Sequence, residues 1–210
     1  ALNKNSKNPV NGSYSSYIKL AKSDFEEPVS THADRFDANR AYSVYKKGAV
    51  FLGQLKYIIG EENFNKTFKE YFRLWSFKHP TPNDFLRIAE KVSRLQLDWY
   101  LMDWINTTKT IDYGIKNVEQ NKVVLERIGG VPMPTEVFVS YTDGTDEKFY
   151  IPLREMRGKK PTEATILEDW AWAYPTYKFE TSKPISSVVL FPDNLVADIN
   201  PENNTFTQSK

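Results

Sequence analysis

Residues Ala41–Gly60 read AYSVYKKGAVFLGQLKYIIG. Val44, Phe51, Leu52, Leu55, Ile58 and Ile59 fall at i, i+7, i+8, i+11, i+14 and i+15, one apolar face at a 3.6-residue period, so the stretch is predicted to be an amphipathic helix. Gly60 is placed to end it, because a residue without Cβ readily takes positive φ. Tyr45 stands on the predicted first turn, followed by Lys46, Lys47 and Gly48. A phenol beside two lysines and above a glycine is placed where a backbone or substrate can come close. A helix that merely begins with an aromatic residue has the same pattern. Lysines at a helix start read as solvated charges that contribute little.

Three further helices follow by the same logic. In the stretch Glu62–Trp75, Phe64, Phe68, Tyr71, Phe72 and Trp75 make an aromatic stripe, expected to face a core. Thr81-Pro82-Asn83-Asp84 opens the next helix: Thr81 suits the N-cap, Pro82 the first helical position, and Asp84 the helix dipole. Its inner face is Phe85, Ile88, Ala89 and Val92. A last helix is expected over Leu97–Asn106, with Leu97, Leu101, Trp104 and Ile105 on one side. Upstream, residues 1–40 read as a loop-rich lead-in. Residues 1–30 are rich in Asn, Ser and Lys, with a short extended piece expected at Tyr17–Leu20. His32 and Asp34 form a His/carboxylate pair, which falls short of the three protein ligands of a catalytic zinc site and reads as a loop hydrogen-bond cluster.

Near Ile111 the period changes to two. Residues 113–118, 122–128, 136–141, 148–153, 163–167, 177–180 and 187–190 are seven strand candidates, with Phe149, Ile151 and Leu153 alternating against Tyr150, Pro152 and Arg154. Thr142-Asp143-Gly144-Thr145 is a hairpin turn with glycine placed for positive φ. Short strands with no helix between them predict an antiparallel β-sandwich over residues 111–210, after a helical segment over 41–110. The class is therefore α+β.

Composition narrows the function. Twenty-eight basic residues against 27 acidic ones leave a net charge of +1, which argues against a nucleic-acid surface or a polybasic membrane patch. There is no cysteine, so no disulfide framework and no thiolate site. No apolar run is long enough to span a bilayer. The chain opens on Ala1 and a polar run, and we expect it to be a fragment of a larger protein or a processed chain.

The run Tyr-x-Lys-Gly-Ala at Tyr45, the amphipathic helix ending Ile59-Gly60, and Glu61-x-x-Phe64 resemble the zinc aminopeptidase N family (gluzincin aminopeptidases). The resemblance continues through Thr81-Pro82-x-Asp84-Phe85 and the Trp-rich last helix. It also takes in the Met-Pro, Asp-Gly and paired-Trp elements of the β region, and a Thr-His-Ala-Asp stretch similar to that of Bacteroidetes-like members. It departs at Arg94-Leu95-Gln96, where the family often has a glycine. The resemblance implies the C-terminal part of such an enzyme: the end of a thermolysin-like catalytic domain followed by a β-sandwich. It implies that Tyr45 is the tyrosine that hydrogen-bonds the tetrahedral intermediate. It implies zinc in the parent protein, an upstream catalytic domain of the same polypeptide and a peptide substrate as partners, and an extracytoplasmic setting.

The family's His-Glu-x-x-His motif is absent: His32 and His79 are the two histidines, and neither is followed by Glu. Phosphate-loop, dinucleotide and serine-nucleophile signatures are also absent. The chain alone is therefore expected to hold no zinc and to be inactive. The competing reading is a non-catalytic helical and β-sandwich module that binds peptide or glycan. Trp170, Trp172, Tyr174 and Tyr177 read either as a sugar-stacking platform or, more simply, as packing aromatics. Asp193, Asp198, Asn200, Asn203 and Asn204 offer oxygens without the spacing of a calcium loop.

Overall fold

The computed structural model describes residues 11–35 and 42–208. The predicted lead-in at 1–10 and 36–40, the predicted helix start at Ala41 and the last two residues lie outside them. The chain divides into two compact units, Ala1–Lys109 with Glu155–Pro161, and Thr110–Arg154 with Thr162–Lys210. The class is α+β.

The first unit is helical: α1 (Asn11–Ala21), a π-helical turn (Tyr42–Lys46), α2 (Lys47–Ile59), α3 (Glu61–Trp75), α4 (Pro82–Ser93) and α5 (Asp98–Asn106). α1 corrects the expectation of loop with an extended piece at Tyr17–Leu20. Its composition is polar, yet Tyr14, Tyr17 and Leu20 recur every third residue and are all buried. Tyr17 packs on Trp104 of α5 at 5.6 Å between ring centroids. Burial of that narrow stripe outweighs the weak helix propensity of the Asn and Ser around it.

α2 ends as expected: Gly60 has φ 82° and its N–H donates to Lys56 O at 2.9 Å. Leu55, Ile58 and Ile59 are fully buried, while Phe51 and Leu52 are half-buried. Phe51 instead stacks on Tyr100 at 4.9 Å. α4 carries a complete capping box: Thr81 Oγ1 accepts from the Asp84 N–H, and Asp84 Oδ2 accepts from the Thr81 N–H at 2.8 Å. At the point where the resemblance lacked a glycine, Arg94 itself takes the left-handed cap, φ 61° and ψ 27°, and its N–H donates to Glu90 O at 2.7 Å.

The aromatic stripe of α3 is not the core face the spacing suggested. Phe64, Tyr71 and Trp75 are half-buried, Phe68 lies at the edge of exposure and Phe72 is 71% exposed. Only Thr67 of α3 is fully buried. The stripe is held edge-on by Phe85 of α4, with ring centroids 5.4 Å from Phe68 and 5.1 Å from Tyr71.

The second unit has two sheets. One has the order β1 (Tyr113–Glu119), β2 (Lys122–Arg127), β6 (Thr176–Glu180). The other has the order β5 (Thr165–Ile166), β4 (Asp146–Ile151), β3 (Thr135–Tyr141), β7 (Ile185–Leu190), β8 (Thr205–Thr207). Rings interlock between the sheets, as in Phe149 on Phe179 at 5.3 Å. All seven expected strands form. Two features differ from the expectation: β8 is an added three-residue strand, and β5 pairs β4 in parallel, so the sandwich is mostly rather than wholly antiparallel. β4 also lacks the inward–outward alternation, since Phe149, Tyr150 and Ile151 are all buried.

The β3–β4 turn is built as its residues suggest. Gly144 takes φ 83°. Asp143 Oδ1 accepts from the Thr145 N–H at 3.0 Å and its hydroxyl at 2.6 Å, and Lys183 Nζ donates to Oδ2 at 2.7 Å. These donors, Lys183 first, hold the Asp143 carboxyl well below its ordinary value of 3.8. A carboxylate depressed in the folded state stabilises above its unfolded value, and that stabilisation is lost as pH falls toward the folded one. Asp143→Asn should therefore lower the melting temperature slightly near neutral pH, with the difference from wild type shrinking below pH 3.8. Thermal melts between about pH 7 and pH 2 test this, and a constant difference would refute it. Arg94→Gly should raise stability by about 0.5–1 kcal/mol, because relief of the left-handed strain exceeds the added entropy of the unfolded chain. Urea titration of the variant measures the change.

Candidate functional site

The start of α2 has none of the usual N-terminal devices. Its cap position is Lys46, helical at φ −74° and ψ −49°, with no capping side chain, and its first turn has no acidic residue. In place of a cap, the π-helical turn Tyr42–Lys46 runs directly into it. π-helical turns are rare and occur frequently at functional sites. Tyr45 lies on this turn and is 73% exposed.

The lysines separate. Lys46 is half-exposed, whereas Lys47 is fully buried, which corrects the expectation of a solvated helix-start charge. Its Nζ donates to Glu26 Oε1 at 2.6 Å and to the carbonyl of Thr107 at 2.8 Å. Nζ also lies over the Trp104 ring, 5.9 Å from its centroid. The side chains of the pair are 1% and 4% exposed. Thr107 closes α5, so the lysine charge meets the negative end of that helix dipole. Burial pushes the Glu26 carboxyl up, and Lys47 pulls it back. Around the pair, Glu26 Oε2, Tyr17 Oη, Ser43 Oγ and Trp104 Nε1 are buried without a protein hydrogen-bond partner among the described residues.

The other sequence candidates are dispersed. His32 and Asp34 are exposed; His32 Nδ1 accepts from the Asp34 N–H at 3.3 Å, the loop cluster expected there. His79 is exposed. Among the described residues no group of three or more His, Cys, Asp or Glu could hold a metal ion. Residues fit for a zinc site are therefore not found there.

In the β unit the four aromatics do not form a flat platform. Trp170 is buried, packs edge-on against Tyr113 at 5.5 Å, and donates through Nε1 to the Tyr174 carbonyl at 2.8 Å. Trp172 lies under the Arg127 guanidinium at 3.6 Å, and Tyr174 is exposed. Burial first, then the charges of Glu168 and Asp169, push the Tyr177 phenol up to about 12. Asp198 is buried and accepts from the Tyr113 N–H at 3.0 Å and the Asn200 N–H at 2.8 Å. Asn203 Nδ2 donates to Asp112 Oδ1 at 2.9 Å. These polar groups staple loop backbone to β1.

Residues 6–104 match the family model for the peptidase family M1 domain, a span that contains the π-helical turn, Tyr45 and Lys47. Over that span, just under half of the chain, the sequence is similar to the M1 peptidases. The glutamyl aminopeptidase of Sus scrofa is 30% identical over 83 residues, 40% of this chain and 8% of the relative. A crystal structure of Legionella pneumophila aminopeptidase A in complex with aspartic acid is 14% identical, with a TM-score of 0.49, covering 87% of this chain and 21% of that one. The chain thus spans a small share of the proteins it matches.

The Glu26–Lys47 pair is the feature of the matched segment that sequence reasoning missed. The available signal was the phase of Lys47, which falls three residues before Val50 and eight before Leu55, on the buried face of α2. Breaking a buried pair leaves an uncompensated charge. Lys47→Met alone should cost about 3–5 kcal/mol, read by denaturant unfolding. A loss below about 1 kcal/mol would mean the pair is solvated.

Proposed function

We propose that this chain is the C-terminal part of a zinc-dependent aminopeptidase that hydrolyses N-terminal residues from peptides, and that Tyr45 is its transition-state donor. The observation that carries the reading is the placement of Tyr45: a phenol presented to solvent on a π-helical turn, inside the segment that matches the M1 domain. A fixed O–H aimed at the oxyanion of a tetrahedral intermediate stabilises the transition state more than the ground state. M1 peptidases use zinc, but the described residues here hold no set of ligands for it. In this reading the metal and its ligands belong to the upstream catalytic domain of the same polypeptide, and the chain alone binds no stoichiometric zinc. The extracytoplasmic setting rests on the resemblance alone.

The same reading gives the aromatic stripe an occupant. Phe72 and Phe77 are exposed on and just beyond α3, and Phe77 holds left-handed backbone at φ 60°. Bulky side chains rarely sit in that conformation, and exposed apolar patches mark interaction sites. Under this proposal the upstream catalytic domain packs there. The competing reading, a non-catalytic module, makes the stripe the docking face for a separate peptide.

In the zinc-bearing full-length protein, Tyr45→Phe should lower kcat by about 10²–10³ with little change in KM, because the lost donor acts mainly in the transition state. Steady-state kinetics on aminoacyl-anilides decide the matter. Activity within about twofold of wild type would leave Tyr45 a surface residue and favour the module reading.

A further inference from the structure

The molecule offers three sets of groups outside Tyr45 itself: the exposed stripe of α3, the Asp112–Asp198 staple, and the buried pair at the start of α2. The pair goes furthest, because its geometry bears directly on where Tyr45 emerges. We propose that Glu26 and Lys47 are positioning residues: their ion pair locks the π-helical turn in register and so sets the direction of the Tyr45 phenol. This inference rests on the reading of Tyr45 as a donor.

A π-helical turn is wound more loosely than an α-helix, with i→i+5 bonds, and is rare. Its relaxation to α-helix would tighten the turn and change the direction in which its side chains leave the axis. The first turn of α2 has no capping side chain or acidic residue that would fix where the π-helical turn joins it. What opposes that relaxation is Lys47, the first residue after the turn. Its Nζ is tied to Glu26 of the segment after α1 and to the Thr107 carbonyl at the end of α5. Those two anchors lie on separate elements, so Lys47 cannot shift by one position without losing both. With Lys47 held on the buried face alongside Val50, Gln54 and Leu55, Tyr45 two residues earlier is held on the exposed one.

The choice of a charged pair supports this role. Well-packed apolar residues of similar volume often match or exceed the stability of a buried ion pair. An apolar side chain tolerates a rotated helix; a charge with two fixed partners does not.

The test uses the full chain with 3-fluorotyrosine at position 45. Wild type should give one narrow fluorine resonance and slow amide exchange across residues 43–47. The deciding variant is the double replacement Glu26→Leu with Lys47→Met, which removes the pair and keeps the core apolar. It should remain folded, lose at least about tenfold in amide protection across the turn, leave α3 and α4 protection unchanged, and split or broaden the fluorine resonance. Lys47→Arg, with Glu26 retained, should restore the narrow resonance. A folded double variant with unchanged turn protection and an unchanged resonance would overturn the lock. So would global unfolding of the double variant, which would make the pair a core support. In the zinc-bearing full-length protein the double variant should lower kcat more than it raises KM. If the lock holds in the isolated chain while Tyr45→Phe leaves activity intact, the reading of Tyr45 fails and the lock stands.

Discussion

The helical unit depends on one buried contact, the Lys47 ammonium between Glu26 Oε1 and the Thr107 carbonyl. It joins three parts of the chain that no helix connects: the segment after α1, the start of α2 and the end of α5. A charge taken out of water is expensive, and an isolated one would not be tolerated there. The pair is therefore either formed in full or strongly destabilising, and this all-or-none character makes it a registration device. Tyr17, Trp104 and Tyr100 pack beside it as an aromatic wall, with Tyr17 and Tyr100 both in ring contact with Trp104. That wall lowers the local dielectric and strengthens the ion pair it surrounds.

What was legible in the sequence follows from which physical signals are local. The capping box at Thr81–Asp84, the Gly60 stop and the Asp143-Gly144 turn are written in neighbouring residues, and each forms as read. The positions of the strands from β1 to β7 were legible, although β4 does not bury alternate residues, and so was the helical-to-strand switch near Ile111. The misses are tertiary. α1 is helical because three of its residues meet a core contributed by distant residues, not because Asn-Gly-Ser favours a helix. β8 is three residues long and exists because β7 offers an open edge. Arg94 takes a glycine's conformation because the helix end requires it, at the cost of strain.

At the candidate site, legibility was divided within the tripeptide Tyr45-Lys46-Lys47. The motif singled out Tyr45, which the structure leaves exposed, whereas Lys47 was misread as solvated, because a lysine carries no local sign of its distant partner. Glu26 stands 21 residues away in a stretch with no periodic pattern. The aromatic stripe failed in the opposite sense. Five rings at helical spacing specify one face, but not what covers it, and in this chain Phe72 remains open to water.

The two units meet the same problem of burying polar groups by different means. In the β unit, Asp198 lies buried near Asp112, and the two carboxylates are served by separate backbone and carboxamide N–H donors. Losing one donor would leave the others in place. In the helical unit Lys47 has two acceptors and no substitute for either. A distributed network suits a loop that needs only to stay closed. A two-point anchor on one long side chain suits a turn whose orientation matters, because it converts a small displacement of the backbone into loss of a whole charge pair. The positions differ accordingly: the network lies where loop backbone meets β1, and the anchor lies two residues from Tyr45, the exposed residue whose direction it would set.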